Sequence, residues 1–114
     1  MLYTIIAFFA LAAIMGLALL SYVLRSKETS KPVMIMHGLF AATGLVLLLI
    51  YTFGDSPGLI ESVILFVIAA LGGFVMVGRD LTGKPIPKWL AIVHGLIAVI
   101  GFITLLIFAM NSPA

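Results

Sequence analysis

Residues 31–50 read KPVMIMHGLFAATGLVLLLI, and residues 88–107 read KWLAIVHGLIAVIGFITLLI. The two stretches align without a gap: both begin with lysine, both carry a His-Gly pair at the same place, and about half of the positions are identical. Because histidine and glycine match, and not only the common apolar residues, the similarity indicates an internal repeat. Each stretch is apolar for the length of a membrane-spanning helix, so we predict that one helix occurs twice.

The repeat extends toward the N-terminus of each stretch, with a period of half the chain length. Basic and small residues recur at matching places: Lys27 with Lys84, Lys31 with Lys88, Ala12-Ala13 with Ala69-Ala70, and Gly16 with Gly73. We therefore divide a single membrane domain, residues 1–114, into repeat one (1–57) and repeat two (58–114). Two such units in the same orientation are related by a pseudo-two-fold axis along the membrane normal.

The composition requires lipid as the solvent. Apolar residues make up 64% of the chain and charged residues 9%, a balance that a soluble domain of this size does not reach. Apolar runs cover residues 2–24, 33–53, 59–78 and 89–110, each near the roughly 20 residues that cross a bilayer. The predicted fold is therefore an all-α integral membrane protein, a bundle of four transmembrane helices made of two tandem helical hairpins. The first run lacks a basic leader, so we interpret it as a retained helix and not as a signal peptide.

The charges predict the orientation of this bundle. All basic residues lie in or beside two segments, one between the first two helices and one between the last two: Arg25, Lys27 and Lys31, and Arg79, Lys84 and Lys88. The positive-inside rule places both segments in the cytoplasm and both termini outside, in a cell (inner) membrane. The acidic turn at residues 54–57 and Glu61 then face outward. The net charge of +2 reflects this orientation and does not indicate nucleic-acid binding.

The chain contains no cysteine, which excludes disulfides, iron–sulfur clusters and covalently attached haem. No nucleophile, acid–base pair or phosphate-binding loop is visible in the sequence. A hydrolase or transferase is therefore not indicated. Redox chemistry, if present, requires a bound cofactor.

Two helix faces carry the candidate site. Residues at helical spacing are His37, Ala41, Gly44 and Leu48 on the second helix, and His94, Ala98, Gly101 and Leu105 on the fourth. Both histidines lie roughly 6 to 10 Å inside the cytoplasmic edge at about 1.5 Å per residue, and Gly16 and Gly73 come to nearly the same depth. Polar residues inside the hydrocarbon are rare and mark function, so the matched histidines beside small residues favour a ligand.

Haem b is the ligand that this pattern favours. Two neutral imidazoles from opposite helices complete the coordination of a haem iron without further protein groups. The porphyrin would lie in the space beside the small residues, and nearby lysines would form ion pairs with its propionates. The predicted cofactor-binding residues are His37, His94, Ala41, Gly44, Ala98, Gly101, Gly16, Gly73, Lys31 and Lys88.

The arrangement resembles b-type membrane cytochromes of the cytochrome b561 kind, on the basis of His37-Gly38 with Gly44 and His94-Gly95 with Gly101. The resemblance covers the second and fourth helices, and it implies that His37 and His94 are the axial ligands of the iron. Those cytochromes usually contain two haems, whereas this chain has two histidines and therefore ligands for one. We expect electron transfer near the cytoplasmic face, with a redox partner or a larger membrane complex.

Several alternatives stay open. Two histidines are few for zinc or copper(II), although Met34 and Met36 beside His37 could complete a copper(I) site. Small multidrug exporters also have four helices, but they use a buried glutamate in the first helix, where this chain has no acid. A proton-coupled transporter would need a polar path, for which only Thr43 and Thr104 are candidates. The remaining alternative is a non-catalytic assembly or interaction subunit, including a homo-oligomer, whose histidines hydrogen-bond between helices.

Overall fold

A computed structural model describes residues 1–54 and 57–112 of the chain. It contains the helices α1 (Leu2–Leu24), α2 (Lys31–Gly54), α3 (Ile60–Leu81) and α4 (Lys88–Met110), with a short 3₁₀ turn at Pro57–Leu59 before α3. All four helices are long and apolar enough to cross a membrane. The bundle measures 46 × 20 × 19 Å, which matches the roughly 40–45 Å of a bilayer with its headgroups. The predicted fold class is confirmed.

The helices coincide with the apolar runs of the sequence, and some of them extend by a few residues into the polar segments. Helix α1 coincides with its run, but α2 already begins at Lys31, and α3 continues through Arg79 to Leu81. Backbone hydrogen bonds propagate beyond the hydrocarbon boundary, because charged side chains at a helix end can reach the water. The predicted acidic turn includes Asp55 and Ser56, which lie outside the described residues, whereas Glu61 is exposed in the first turn of α3.

The helices are arranged as a square in chain order. Helix α1 contacts α2 and α4, and α3 likewise contacts α2 and α4. The diagonals are therefore α1 with α3 and α2 with α4, so the two histidine-bearing helices face each other across the core, as the repeat predicts.

The buried residues of the core are related by the internal repeat of the sequence. Phe9 of α1 and Phe66 of α3 stack across one diagonal, with ring centroids 3.9 Å apart and an interplanar angle of 4°. Further buried residues form matching pairs at half the chain length: Ile5 with Ser62, Ala12 with Ala69, Gly44 with Gly101, and Leu48 with Leu105. The pseudo-two-fold axis thus passes between the two stacked rings.

The outside of the bundle is apolar on every helix. Leu17 of α1 is 68% exposed and Phe74 of α3 is 72% exposed, and many other large apolar side chains point outward. In water such a surface would aggregate, whereas lipid tails cover it without cost. The exposed side chains therefore support the membrane assignment that the composition predicts.

The pseudo-symmetry is broken at one end of the bundle. We call this the basic end; it comprises the loops 25–30 and 82–87 and the adjoining helix ends. The ammonium of Lys31 pairs with Asp80, and the buried hydroxyl of Thr29 donates a 2.9 Å hydrogen bond to the same carboxylate. The residues that match Asp80 and Thr29 in the other repeat are the apolar Val23 and Ile86, so this link between the hairpins forms once and not twice.

We expect Asp80→Asn to lower the free energy of unfolding by about 1 kcal/mol, because it removes the charge from a partly exposed ion pair and keeps an acceptor for Thr29. Thermal unfolding in detergent at low and high salt measures the loss, which should shrink as salt screens the wild-type pair. Glu28→Gln is the matched control, since Glu28 is exposed in the same region and makes no ion pair in the described part of the chain. An equal loss in the control would contradict this role of Asp80.

Candidate functional site

The site centres on two imidazoles that face each other across the bundle. His37 and His94 lie about two turns after the starts of α2 and α4, and both are half-buried. Their ring centroids are 6.3 Å apart, with an interplanar angle of 73°. Residues from opposite halves of the sequence are thus brought together at one depth of the membrane.

Each imidazole is oriented by the backbone of the neighbouring helix. Nδ1 of His37 lies 2.7 Å from the carbonyl oxygen of Ala12, and Nδ1 of His94 lies 2.7 Å from the carbonyl oxygen of Ala69. Because a carbonyl oxygen only accepts, Nδ1–H must be the donor, and in the neutral ring Nε2 then carries a free lone pair. Metal-binding histidines are characteristically oriented in this way by a backbone carbonyl.

The glycines Gly16 and Gly73 lie against the imidazoles. A Cβ atom added to Gly16 would come within 3.0 Å of Cε1 of His37, and one added to Gly73 within 3.4 Å of Cε1 of His94. These glycines therefore make room for the histidine rings, which lie between them and the centre of the bundle. The contact with the histidine rings is enough to explain why Gly16 and Gly73 have no side chain.

The glycines Gly44 and Gly101 make room for phenylalanine. A Cβ atom on Gly44 would lie 3.2 Å from the ring of Phe9, and one on Gly101 would lie 3.3 Å from Cβ of Leu65 and 3.4 Å from the ring of Phe66. Gly44 is about 10 Å from His37 along α2, at about 1.5 Å per residue. The stacked rings thus close the core about two turns from the histidines, on the side away from the basic end.

The spacing of the two rings can be compared with the spacing of two imidazoles bound to one haem iron. Two metal–nitrogen bonds of about 2 Å, together with the inner half of each imidazole, give a centroid separation of roughly 6 Å. The observed separation of 6.3 Å agrees with this value. Of the four glycines that the sequence predicted at the cofactor site, Gly44 and Gly101 are covered by Phe9 and Phe66. A porphyrin would therefore use the level of Ala41 and Ala98, which are half-buried between the histidines and the stacked rings.

The two lysines predicted to meet the propionates differ in their surroundings. Lys31 is paired with Asp80. Lys88 forms no ion pair with the residues that the structure describes, and it borders a pocket at the basic end. Of the two, Lys88 is therefore the one whose ammonium is available to an anion.

Two of the alternatives, a zinc or copper(II) site and a proton path, can be compared with this geometry. Within residues 1–54 and 57–112, no group of three or more His, Cys, Asp or Glu side chains is placed to bind a metal ion. The hydroxyls of Thr43 and Thr104 donate to the carbonyl oxygens of Leu39 and Ile100 in their own helices. Thr43 is exposed and Thr104 is half-buried. Because these hydroxyls are engaged within their own helices, they do not extend a proton path from the histidines.

Four residues of the site were not predicted from the sequence. The carbonyls of Ala12 and Ala69 orient the histidines, and the rings of Phe9 and Phe66 fill the space at the glycines. Both pairs are separated by half the chain length, so the repeat marks their positions in the sequence but not the contacts that they make. No known protein family, curated protein or solved structure matches this chain.

Proposed function

We propose that the protein is a small membrane cytochrome that binds one haem b between His37 and His94 and transfers electrons near the cytoplasmic face. The observation that carries the proposal is the facing pair of imidazoles, 6.3 Å apart across the bundle. Each ring has its Nδ1 engaged by a backbone carbonyl, which leaves Nε2 as the ligand atom.

When bound, the haem would supply one-electron redox chemistry. The protein's own residues bind and orient it: the carbonyls of Ala12 and Ala69 fix the tautomer of the two ligands, and the apolar core excludes water. Lys88 offers a cation to a propionate at the basic end. Since the positive-inside rule puts this end in the cytoplasm of a cell (inner) membrane, the expected redox partner or larger membrane complex would dock there.

The proposal is tested by the absorption spectrum of the purified protein. We expect a Soret band in protein produced with excess haem, and a sharp α-band after reduction with dithionite. Empty detergent micelles mixed with the same amount of haem are the control for non-specific uptake. A protein that stays colourless after haem is supplied both during expression and after purification would end the proposal.

A second candidate is supported by the same hydrogen bonds. The bonds from His37 to Ala12 and from His94 to Ala69 each join two helices, which is what a non-catalytic assembly subunit needs from its histidines. Such bonds contribute about 0.6 kcal/mol each in a membrane. Under this alternative the protein is colourless and migrates with a larger complex in native gels of gently solubilised membranes. A colourless protein that is monomeric in those gels would exclude it.

A further inference from the structure

A pocket with a mixed polar and apolar lining opens at the basic end, between the two loops. Its volume is about 480 Å³. Its lining includes three lysines, Lys27, Lys84 and Lys88, and three apolar residues, Val23, Pro85 and Ile86. The pocket lies at the helix ends and is formed mainly by loop residues, so it is separate from the histidines and shares only Lys88 with the proposed haem contacts.

The charges around this pocket favour an anion. Lys27, Lys84 and Lys88 form no ion pair with any residue that the structure describes. Of the two acids in the lining, Asp80 is neutralised by Lys31 and also accepts from Thr29, which leaves Glu28 as the only unpaired one in the described part of the chain. Three free ammonium groups thus face one free carboxylate.

The pocket forms at a place where the two repeats differ in sequence. Lys31 and Lys88 occupy matching positions, but Lys31 has Asp80 as a partner, whereas Lys88 has the apolar Val23 at the equivalent place. Val23 is buried and lines the pocket beside Lys88. The second repeat therefore offers an unpaired ammonium group and an apolar wall where the first offers a closed ion pair.

We propose that this pocket binds the phosphate of an anionic phospholipid headgroup. It lies at the ends of membrane-spanning helices, where lipid phosphates are located, and basic pockets between such helix ends are characteristic sites for anionic headgroups. The apolar wall of Val23, Pro85 and Ile86 fits the glycerol region of a lipid, which a free anion does not have. Trp89, 67% exposed beside Lys88, is placed to anchor at the same interface.

The test is lipid binding by native mass spectrometry of the protein in detergent, with phosphatidylglycerol and phosphatidylcholine of equal chain length. We expect wild type to retain phosphatidylglycerol preferentially, as one tightly bound molecule per chain. The double variant Lys84→Gln/Lys88→Gln should weaken this binding roughly 10- to 30-fold, since each lysine near a lipid surface contributes about 1 kcal/mol. Arg25→Gln is the matched control, because it removes a charge from the same end but not from the pocket lining.

Three results would overturn the proposal. Equal retention of both lipids would show that there is no anion site, and an equal loss in Arg25→Gln would show that only the diffuse charge of this end matters. Displacement of the lipid by inorganic phosphate at equal concentration would identify a site for free anions. If the double variant does not fold, Lys84→Gln alone gives the same comparison, because Lys84 is exposed in the loop and should weaken binding several-fold.

Discussion

Replacing His37 or His94 with alanine is expected to abolish the six-coordinate, low-spin haem spectrum. Each substitution removes one of the two proposed axial ligands, and the chain has no third histidine to replace it. Since disturbing even an outer-shell partner of a metal ligand costs about 10- to 100-fold in affinity, loss of the ligand itself should cost more than about 100-fold. Titration of haem into the purified variants, followed by absorption spectra, measures both effects.

The matched variants for this prediction are His37→Asn and His94→Asn. The amide nitrogen of asparagine can take the place of Nδ1 and donate to the carbonyl of Ala12 or Ala69, but asparagine has nothing in place of Nε2. If the histidines are ligands, the asparagine variants fold like wild type and lose the low-spin spectrum as the alanine variants do. Asparagine variants that retain the wild-type spectrum would contradict ligation by Nε2.

Substitution of Gly16 should disturb the site more than substitution of any other helix glycine beside the histidines. A Cβ at Gly16 reaches to 3.0 Å from the ring of His37, whereas one at Gly73 stays 3.4 Å from the ring of His94. Gly16→Leu places further carbon atoms against the imidazole and should force it away from the axis. We expect about a 10- to 100-fold loss of haem affinity, as for other disturbed ligand orientations, and a smaller loss for Gly73→Leu.

Gly38 and Gly95 provide the controls for this series. They follow the two histidines directly in sequence, yet a Cβ at either position meets nothing within 4 Å. Gly38→Leu and Gly95→Leu should therefore leave the spectrum and the haem affinity unchanged. Equal losses at Gly38 and Gly16 would mean that the spectrum responds to helix composition and not to contact with the histidine ring.

The fold could be predicted from the sequence because only a few backbone structures can cross a lipid bilayer. Four apolar runs of membrane-spanning length must be helical to satisfy their backbone hydrogen bonds, and the repeat then makes α2 and α4 parallel and diagonal. Because His37 and His94 occupy matching positions in the repeat, the sequence predicted two imidazoles at one depth. In the structure the centroids of the two rings are 6.3 Å apart.

The surroundings of the histidines could not be predicted in the same way. A glycine in a membrane helix indicates that another group packs close to the backbone, but the sequence does not identify that group. At Gly44 the group is the ring of Phe9. The pairing of Lys31 with Asp80 joins the start of α2 to the end of α3, and helical periodicity does not predict how close two different helix ends lie. The acceptors of the histidines were hidden for a similar reason, since the carbonyls of Ala12 and Ala69 belong to the backbone and leave no side-chain signal.

The central claim is that one haem iron is bound by His37 and His94 together. Near-infrared magnetic circular dichroism of the oxidised, haem-loaded protein tests it most directly, because the charge-transfer band reports the identity of both axial ligands. We predict the band of bis-imidazole ligation, at one haem per chain and absent from both asparagine variants. A band that indicates a single imidazole, or an unchanged band in either variant, would contradict the claim.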